Sequence, residues 1–368
     1  MTDITYIKRI LEKSIKEAPK DKALVLFGAR QIGKTTLLQT LFNNPKTRWL
    51  SGDETTDVTL LTSLTSKSDL KVLLGGVDVL VIDEAQRVPG IGLLLKRLID
   101  ADTGCRIVAT GSSSLELAGG VMESAAGRLW QERLWPISVE ELAENQSWLS
   151  VVSNLPERLV FGNYPYILRE PKYAQETLKN LYDSVVFKDI FSLSGILLAY
   201  NIGGLISYER LGQKSGLNAL SVASYVSLLE QCFIVKTLSS YSRNLARELK
   251  KSKKIYFCDL GIRNAAINNF QPFSARDPSE RGALWENFFV MERLKMHGYR
   301  KTGANLYFWR DKQMNEVDLV EILPDATMRA FECKTKESKV AAPTPFAKKY
   351  PECSFEVANM QNFYRYFV

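Results

Sequence analysis

Among 368 residues the chain has a single histidine, His297, and that scarcity removes several chemistries at once. A zinc cluster with two histidine ligands is impossible, and a Ser-His-Asp triad would have to use this one residue. His297 stands in MERLKMHGYR, next to a glycine that reads as the end of a helix, so a helix-end role is expected for it. Cysteine is also sparse. Cys105, Cys232, Cys258, Cys333 and Cys353 are odd in number, widely spaced and without a CxxC pair, which suits reduced, buried thiols. No run approaches the roughly 18 consecutive apolar residues that a membrane span needs, and the opening MTDITYIKRILEKSIKEAPK lacks a signal peptide's apolar core. The chain is therefore expected in the cytoplasm, with no membrane partner. It shows no internal repeat, low-complexity tract or long Gly/Ser or Pro linker, so its domains are expected to pack together.

A chain of 368 residues exceeds the size at which one core stops growing, about 250 to 300 residues, so two or three domains are expected. The apolar fraction of 45% and charged fraction of 24% are those of an ordinary globular protein. The net charge of +7 favours an acidic partner such as DNA, and it is unevenly spread. Residues 241–254 carry Arg243, Arg247, Lys250, Lys251, Lys253 and Lys254 against Glu248 alone, so five of the seven net charges lie there. This run either tracks a nucleic-acid backbone or is a solvated loop.

Along the first third, short apolar runs alternate with helical patterns. ALVLFG, RWLSGD, VDVLVID and CRIVATGS read as strands; helices are expected from Gly33, near residues 58–64 and over IGLLLKRLID. Nearly all-apolar strands alternating with helices predict a parallel sheet covered on both faces. From about residue 138 to 200 the pattern turns helical, suggesting a lid or linker. Residues 201–280 then read as helix, glycine-containing turn, helix and strand, the order of a winged helix. A final α/β unit starts near residue 281 with a long helix, followed by the strands LYFWR, NEVDLVEIL and MRAFECKTK. The expected domains are thus 1–137, 138–200, 201–280 and 281–368.

Gly28, Ala29, Arg30, Gln31, Ile32, Gly33, Lys34 and Thr35 match G-x-x-x-x-G-K-[ST] at every fixed position, between an expected strand and helix. In such a loop the glycines let successive backbone N–H groups face a phosphate, and the helix N-terminus adds its dipole. Lys34 supplies a cation to the β- and γ-phosphates, and Thr35 is suited to ligating Mg²⁺, with Thr36 beside it. Arg30 and Gln31 are not fixed by the pattern and are expected in solvent. About fifty residues on, VDVLVIDEAQ ends a buried strand in two acids. Asp83 would orient the metal and Glu84 would be the general base; Gln86 could sense the γ-phosphate or face a neighbouring subunit. After the next strand, Thr110, Ser112 and Ser113 stand where a hydroxyl could contact the γ-phosphate or the attacking water, Thr110 or Ser112 being favoured, or they could simply cap a helix. Arg128 could act as a finger on ATP held by a neighbouring subunit in a homo-oligomer, or form a salt bridge in cis. The implied cofactors are ATP and Mg²⁺.

With GARQIGKTT, VLVIDEAQ, ATGSSSLEL and AAGRLWQERLWPISVEEL in this order and spacing, the chain resembles prokaryotic AAA-type P-loop ATPases fused to a C-terminal domain of unknown function. The resemblance spans nearly the whole chain. It implies a P-loop NTPase sheet, then a helical and winged-helix region, then a small α/β domain with a restriction-endonuclease-like fold; it implies no substrate.

Within that last domain Glu286, Asp318 and the pair Glu332 and Lys334 resemble the E…D…ExK set of metal-dependent nucleases. Glu286, Asp318 and Glu332 would hold one or two Mg²⁺, and Lys334 would position the attacking water. Strand alternation puts Glu332 and Lys334 on one face, with Phe331 and Cys333 toward the core. Glu316, one period from Asp318, is a substitute ligand. The competing reading is a nuclease-like fold kept for binding, with Glu332 and Lys334 forming a salt bridge. The helix NALSVASYVSLLEQ, at the place of a recognition helix, carries no Lys or Arg and so argues against reading of base sequence.

Overall fold

The computed structural model describes residues 6–111, 125, 127–185, 192–242 and 252–368. The chain divides into two compact units, one built on residues 8–135 with 231–233 and the other on residues 136–230 and 234–368 with Tyr6 and Ile7, each within the described residues.

The first unit is an α/β sandwich around a five-stranded parallel sheet. Its strands are β1 (Ala23–Phe27), β2 (Thr47–Ser51), β3 (Val79–Asp83), β4 (Arg106–Gly111) and β5 (Leu129–Arg133), in the spatial order β2-β3-β4-β1-β5. The three inner strands are the most apolar, and every residue of β1 and β4 is buried. Burying side chains such as Leu24, Phe27, Leu80 and Ile107 contributes about 1.5 to 3 kcal/mol each. The edge strands β2 and β5 are more open to water, each with a single buried residue, Leu50 and Glu132. Around the sheet lie α1 (Leu11–Glu17), α2 (Lys34–Leu41), α3 (Thr55–Ser63), α4 (Lys67–Leu74) and α5 (Ile91–Asp100). A capping box starts α4, Ser66 accepting from the Asp69 N–H while Asp69 accepts from the Ser66 N–H. The buried Arg106 of β4 donates to the carbonyls of Ile15 and Lys16, so a side chain satisfies the last turn of α1. The sequence missed β5 and α4.

The second unit begins with helices α6 (Val139–Asn145), α7 (Trp148–Phe161), α8 (Pro165–Arg169), α9 (Ala174–Val185) and α10 (Ser192–Tyr200). Next come α11 (Tyr208–Ser215) and α12 (Ala219–Gln231), then an antiparallel pair, β6 (Val235–Ser239) and β7 (Lys253–Phe257), and α13 (Leu260–Ala266). Ser207 caps α11 and Gly216, at φ 71°, ends it. Val222, Tyr225, Val226 and Leu229 form the buried stripe of α12 at helical spacing. The helix, turn, helix and strand order expected for this stretch is present.

The long helix α14 (Pro278–Tyr299) precedes a four-stranded sheet of β8 (Asn305–Arg310), β9 (Glu316–Ile322), β10 (Met328–Cys333) and β11 (Ser354–Ala358), ordered β11-β10-β9-β8, with α15 (Thr344–Lys349) before the last strand. β10 pairs antiparallel with β9 and parallel with β11. Trp309, Val317, Val320, Met328, Ala330, Phe346 and Tyr350 pack as one cluster. Phe289 of α14 meets Phe331 edge-on at 5.4 Å. Because α14 is buried almost all round, its charges are paired internally: Glu292 with Lys295 at 2.7 Å, and Arg293 with Glu321 at 2.6 Å. His297, expected only as a helix end, belongs to this core. Its ring nitrogens lie 3.2 Å from Glu321 Oε1 and 2.7 Å from Thr302 Oγ1. Among the described residues no helix is long and apolar enough to cross a membrane.

Candidate functional site

The loop between β1 and α2 takes its shape from two left-handed residues, Gln31 at φ 61° and Gly33 at φ 90°. Glycine enters that region without the Cβ clash that opposes it elsewhere, and at Gly33 the chain turns directly into α2. Gly28 and Ala29 are buried, Ile32 is fully buried, and Arg30, Gln31 and Thr36 are exposed, so the two residues left open by the pattern are solvated as expected. The buried guanidinium of Arg9 pins the loop, donating to the Ile32 carbonyl at 3.1 Å and the Trp135 carbonyl at 2.6 Å. Nothing in the sequence pointed to Arg9.

Lys34 is 5% exposed and donates to the carbonyls of Gly28 at 3.1 Å and Ala29 at 2.9 Å. Burial pulls its pKa below the ordinary lysine value, and the nearby carboxylates of Glu84 and Asp83 only partly oppose this. Thr35 Oγ1 donates to Asp83 Oδ2 at 2.8 Å, so the loop and the end of β3 are joined directly. From β4, the fully buried Thr110 donates its hydroxyl to Asp83 Oδ1 and accepts the Glu84 N–H at 3.0 Å. That N–H is also 3.1 Å from Asp83 Oδ1. Glu84 itself is left-handed, at φ 47°, and its Oε2 accepts from Gln86 Nε2 at 2.5 Å. Gly52, after β2, gives this bend room, since a Cβ there would collide with the Glu84 carbonyl oxygen. A hydroxyl and a carboxylate side by side fit Mg²⁺, a hard cation that takes few protein ligands and completes its shell with water and phosphate oxygens.

The structure therefore brings Gly28, Lys34, Thr35, Asp83, Glu84 and Thr110 together. Thr110 touches the two acids rather than capping a helix. Ser112, the alternative to Thr110, and Ser113 lie outside the described residues. Arg128 forms an ion pair in cis, its Nε 2.9 Å from Asp100 Oδ1 with both side chains partly exposed.

The second candidate constellation also assembles, with an addition. Asp318 of β9 accepts the Cys333 N–H at 2.8 Å, and Lys334 donates to Glu332 at 2.7 Å. Burial, reinforced by Glu286 and Glu332, holds the Asp318 carboxyl well above the usual range. Glu286 is raised by its burial too, with Lys254 opposing. The addition is Lys254 of β7. Its ammonium lies 2.8 Å from Glu286 Oε1, 2.6 Å from Glu316 Oε1 and 3.8 Å from Asp318 Oδ1. Tyr256, two residues on, donates to Glu286 Oε1 at 2.8 Å. Burial works against the Lys254 charge, but Glu286, Asp318 and Glu316 outweigh it and hold its pKa above the ordinary value. The described residues contain no group of three or more Asp, Glu, His or Cys set to hold a metal ion. Glu286, Asp318 and Glu332 are thus gathered, but not into the expected metal cage.

The same geometry corrects the DNA-contact set. Lys254 is 2% exposed and saturated with carboxylates, so it cannot meet a phosphate backbone. Lys253 is exposed, whereas Arg243, Arg247, Lys250 and Lys251 lie outside the described residues.

Comparison with known proteins gives three consecutive matches. Residues 20–143 match an AAA domain, residues 152–272 a domain of unknown function (DUF8612) and residues 281–363 another (DUF4143). An uncharacterized protein of Mycobacterium tuberculosis is 26% identical over 322 residues, covering 84% of this chain and 69% of its own. An uncharacterized protein of Methanocaldococcus jannaschii is 24% identical over 320 residues, covering 72% and 66%. Among solved structures, the Walker-type ATPase of Pyrococcus abyssi is similar with a TM-score of 0.49 at 16% identity, covering 72% of this chain and 96% of that one. The chain carries an AAA-type P-loop ATPase domain followed by two domains of unknown function.

Proposed function

We propose that this chain binds MgATP on residues 28–36, hydrolyses it, and couples hydrolysis to DNA through its C-terminal half. The ATPase reading is carried by the hydrogen-bonded line Thr35, Asp83, Thr110 and Glu84 beside the buried ammonium of Lys34. The amides of the loop hold the phosphates, and Lys34 exchanges its two loop carbonyls for phosphate oxygens, which match its charge better. Thr35 and Asp83 would hold Mg²⁺, which when bound would neutralise charge on the phosphates. Gln86 fixes one oxygen of Glu84, leaving the carboxylate oriented to take a proton from the attacking water.

Support for DNA association is the basic run before β7, with Lys254 now removed from it, and the helix, turn, helix and hairpin order that suits a winged helix. The division into residues 1–137, 138–200, 201–280 and 281–368, assembly into a homo-oligomer and a nuclease-like ancestry of the last domain belong to the same reading. The test is ATP turnover by wild type and Glu84→Gln, with and without DNA, while the same DNA is watched for Mg²⁺- or Mn²⁺-dependent cleavage. DNA-stimulated turnover, lost in Glu84→Gln, is expected; turnover indifferent to DNA at low salt would sink the coupling.

One observation favours a second reading. The Lys254 ammonium among Glu286, Glu316 and Asp318 suits a domain that no longer cleaves phosphodiesters, and so a nucleotide-dependent switch with protein partners. Slow, DNA-independent turnover with a change in compaction between ATP and ADP states would select it.

A further inference from the structure

We propose that Lys254 is a resident cation standing in for a divalent metal, so that the carboxylates of the C-terminal unit form a self-neutralised site that excludes metal while the lysine is present. This rests on the geometry of that unit alone and not on ATP hydrolysis.

Three carboxylates meet the ammonium, Glu286 from α14 and Glu316 and Asp318 from β9, and Glu332 from β10 adds its charge beside Asp318. Two further cations serve their outer side, Arg310 on Glu316 at 3.1 Å and Lys334 on Glu332 at 2.7 Å. Without Lys254, Glu286 and Asp318 would be left in a largely buried cluster without an ion-pair partner among the described residues, an arrangement that favours another cation. The lysine is built for that place. Its side chain is 3% exposed, it reaches the centre from a separate strand, and its ammonium lies 5.6 Å from the centre of the Phe308 ring.

The distances explain why the carboxylates do not form a metal cage. An ammonium holds oxygens at hydrogen-bond length, here 2.6 and 2.8 Å, with Asp318 left at 3.8 Å. Mg²⁺ draws its ligands to about 2.0 to 2.1 Å in a near-octahedral shell. The lysine therefore both supplies the missing charge and props the oxygens apart. Strand alternation fits the role, since Lys254 and Tyr256 share a face of β7 and both bond Glu286 Oε1.

The experiment is Mn²⁺ titration of the nucleotide-free full chain, followed by the EPR signal of free Mn²⁺, together with thermal unfolding. Wild type, Lys254→Met and Lys254→Met/Asp318→Asn are compared, so that weak binding at the nucleotide loop is common to all three. Lys254→Met is expected to unfold at a lower temperature than wild type, to gain one Mn²⁺ site, and to have its midpoint raised by Mn²⁺. The double variant loses that site, and the wild-type midpoint ignores Mn²⁺. A wild-type Mn²⁺ site abolished by Asp318→Asn, or no new site in Lys254→Met, overturns the proposal. Should Lys254→Met not fold, Lys254→Met/Glu286→Gln removes the cation together with the carboxylate that it shares with Tyr256 and is expected to fold. If that variant also fails, the lysine acts through packing rather than charge, and the proposal falls.

Discussion

Thr110→Val is the sharpest test of the nucleotide site, because it changes one hydroxyl into a methyl of nearly the same shape. The position is fully buried in β4, so the main change is the loss of the hydroxyl and its hydrogen bonds rather than of volume. It deletes the bond from the hydroxyl to Asp83 Oδ1 and the acceptor 3.0 Å from the Glu84 N–H. The Glu84 N–H keeps a partner, Asp83 Oδ1 at 3.1 Å, so the main loss is the bond to the charged carboxylate, about 1.5 to 3 kcal/mol. If that bond holds Asp83 and Glu84 where they act, the same energy reappears as a barrier, and each 1.36 kcal/mol is tenfold, so kcat should fall about 10- to 100-fold. Affinity for a fluorescent ADP should hardly move, since the loop amides and Lys34 are untouched. Thr110→Ser, which keeps the hydroxyl, should stay near wild type. A Val variant with wild-type kcat would refute the positioning role. One that loses nucleotide binding would instead mean that Thr110 touches the nucleotide.

Gly52→Ala should lower thermal stability by about 1 to 3 kcal/mol and depress turnover, because its methyl meets the Glu84 carbonyl; urea unfolding and ATPase assays check both. Arg128→Ala should leave stability within about 1 kcal/mol and turnover unchanged, since the pair with Asp100 is partly exposed, whereas a collapse of turnover restored by mixing with Lys34→Ala chains would reveal a finger in trans. At Glu321, burial raises the carboxyl but Arg293 and His297 outweigh it, so its folded pKa lies below the ordinary 4.5. A depressed carboxyl contributes stability that is present above pH 4.5 and lost as pH falls through the folded value. Urea unfolding between neutral pH and pH 3 should show that loss, and Glu321→Gln should flatten it while costing about 3 to 5 kcal/mol at pH 7 by stranding Arg293.

The inner strands were legible because a parallel sheet buries both faces and leaves a run of apolar residues, as ALVLF and VLVID show. LWQER became β5 without such a run, because an edge strand needs only one buried face, and SFEVA became β11 for the same reason. The turn into α2 was legible, since the glycine that the loop pattern requires, Gly33, takes the left-handed conformation. Arg9 was not, because a guanidinium that serves carbonyls 23 and 126 residues away leaves no local pattern. Lys254 was misread for a definable reason. In a run of cations it looks like one more solvated charge, yet in KKIYF the period of two already separates it from Lys253 and pairs it with the buried Tyr256.

The two buried lysines show how such positions differ in kind. Lys34 and Lys254 are both almost wholly removed from water, and desolvation is the largest influence on each. At Lys34 the charge is met by two neutral carbonyls, with Asp83 and Glu84 acting only through space, and its pKa stays depressed. At Lys254 two carboxylates are within hydrogen-bond reach, a third is close by, and its pKa ends above that of lysine in water. An under-compensated ammonium gains most when a phosphate arrives; a fully compensated one has nothing to gain from a ligand and much to lose by leaving. The depressed lysine therefore belongs to a site that waits for an anion, and the raised one to a site already filled.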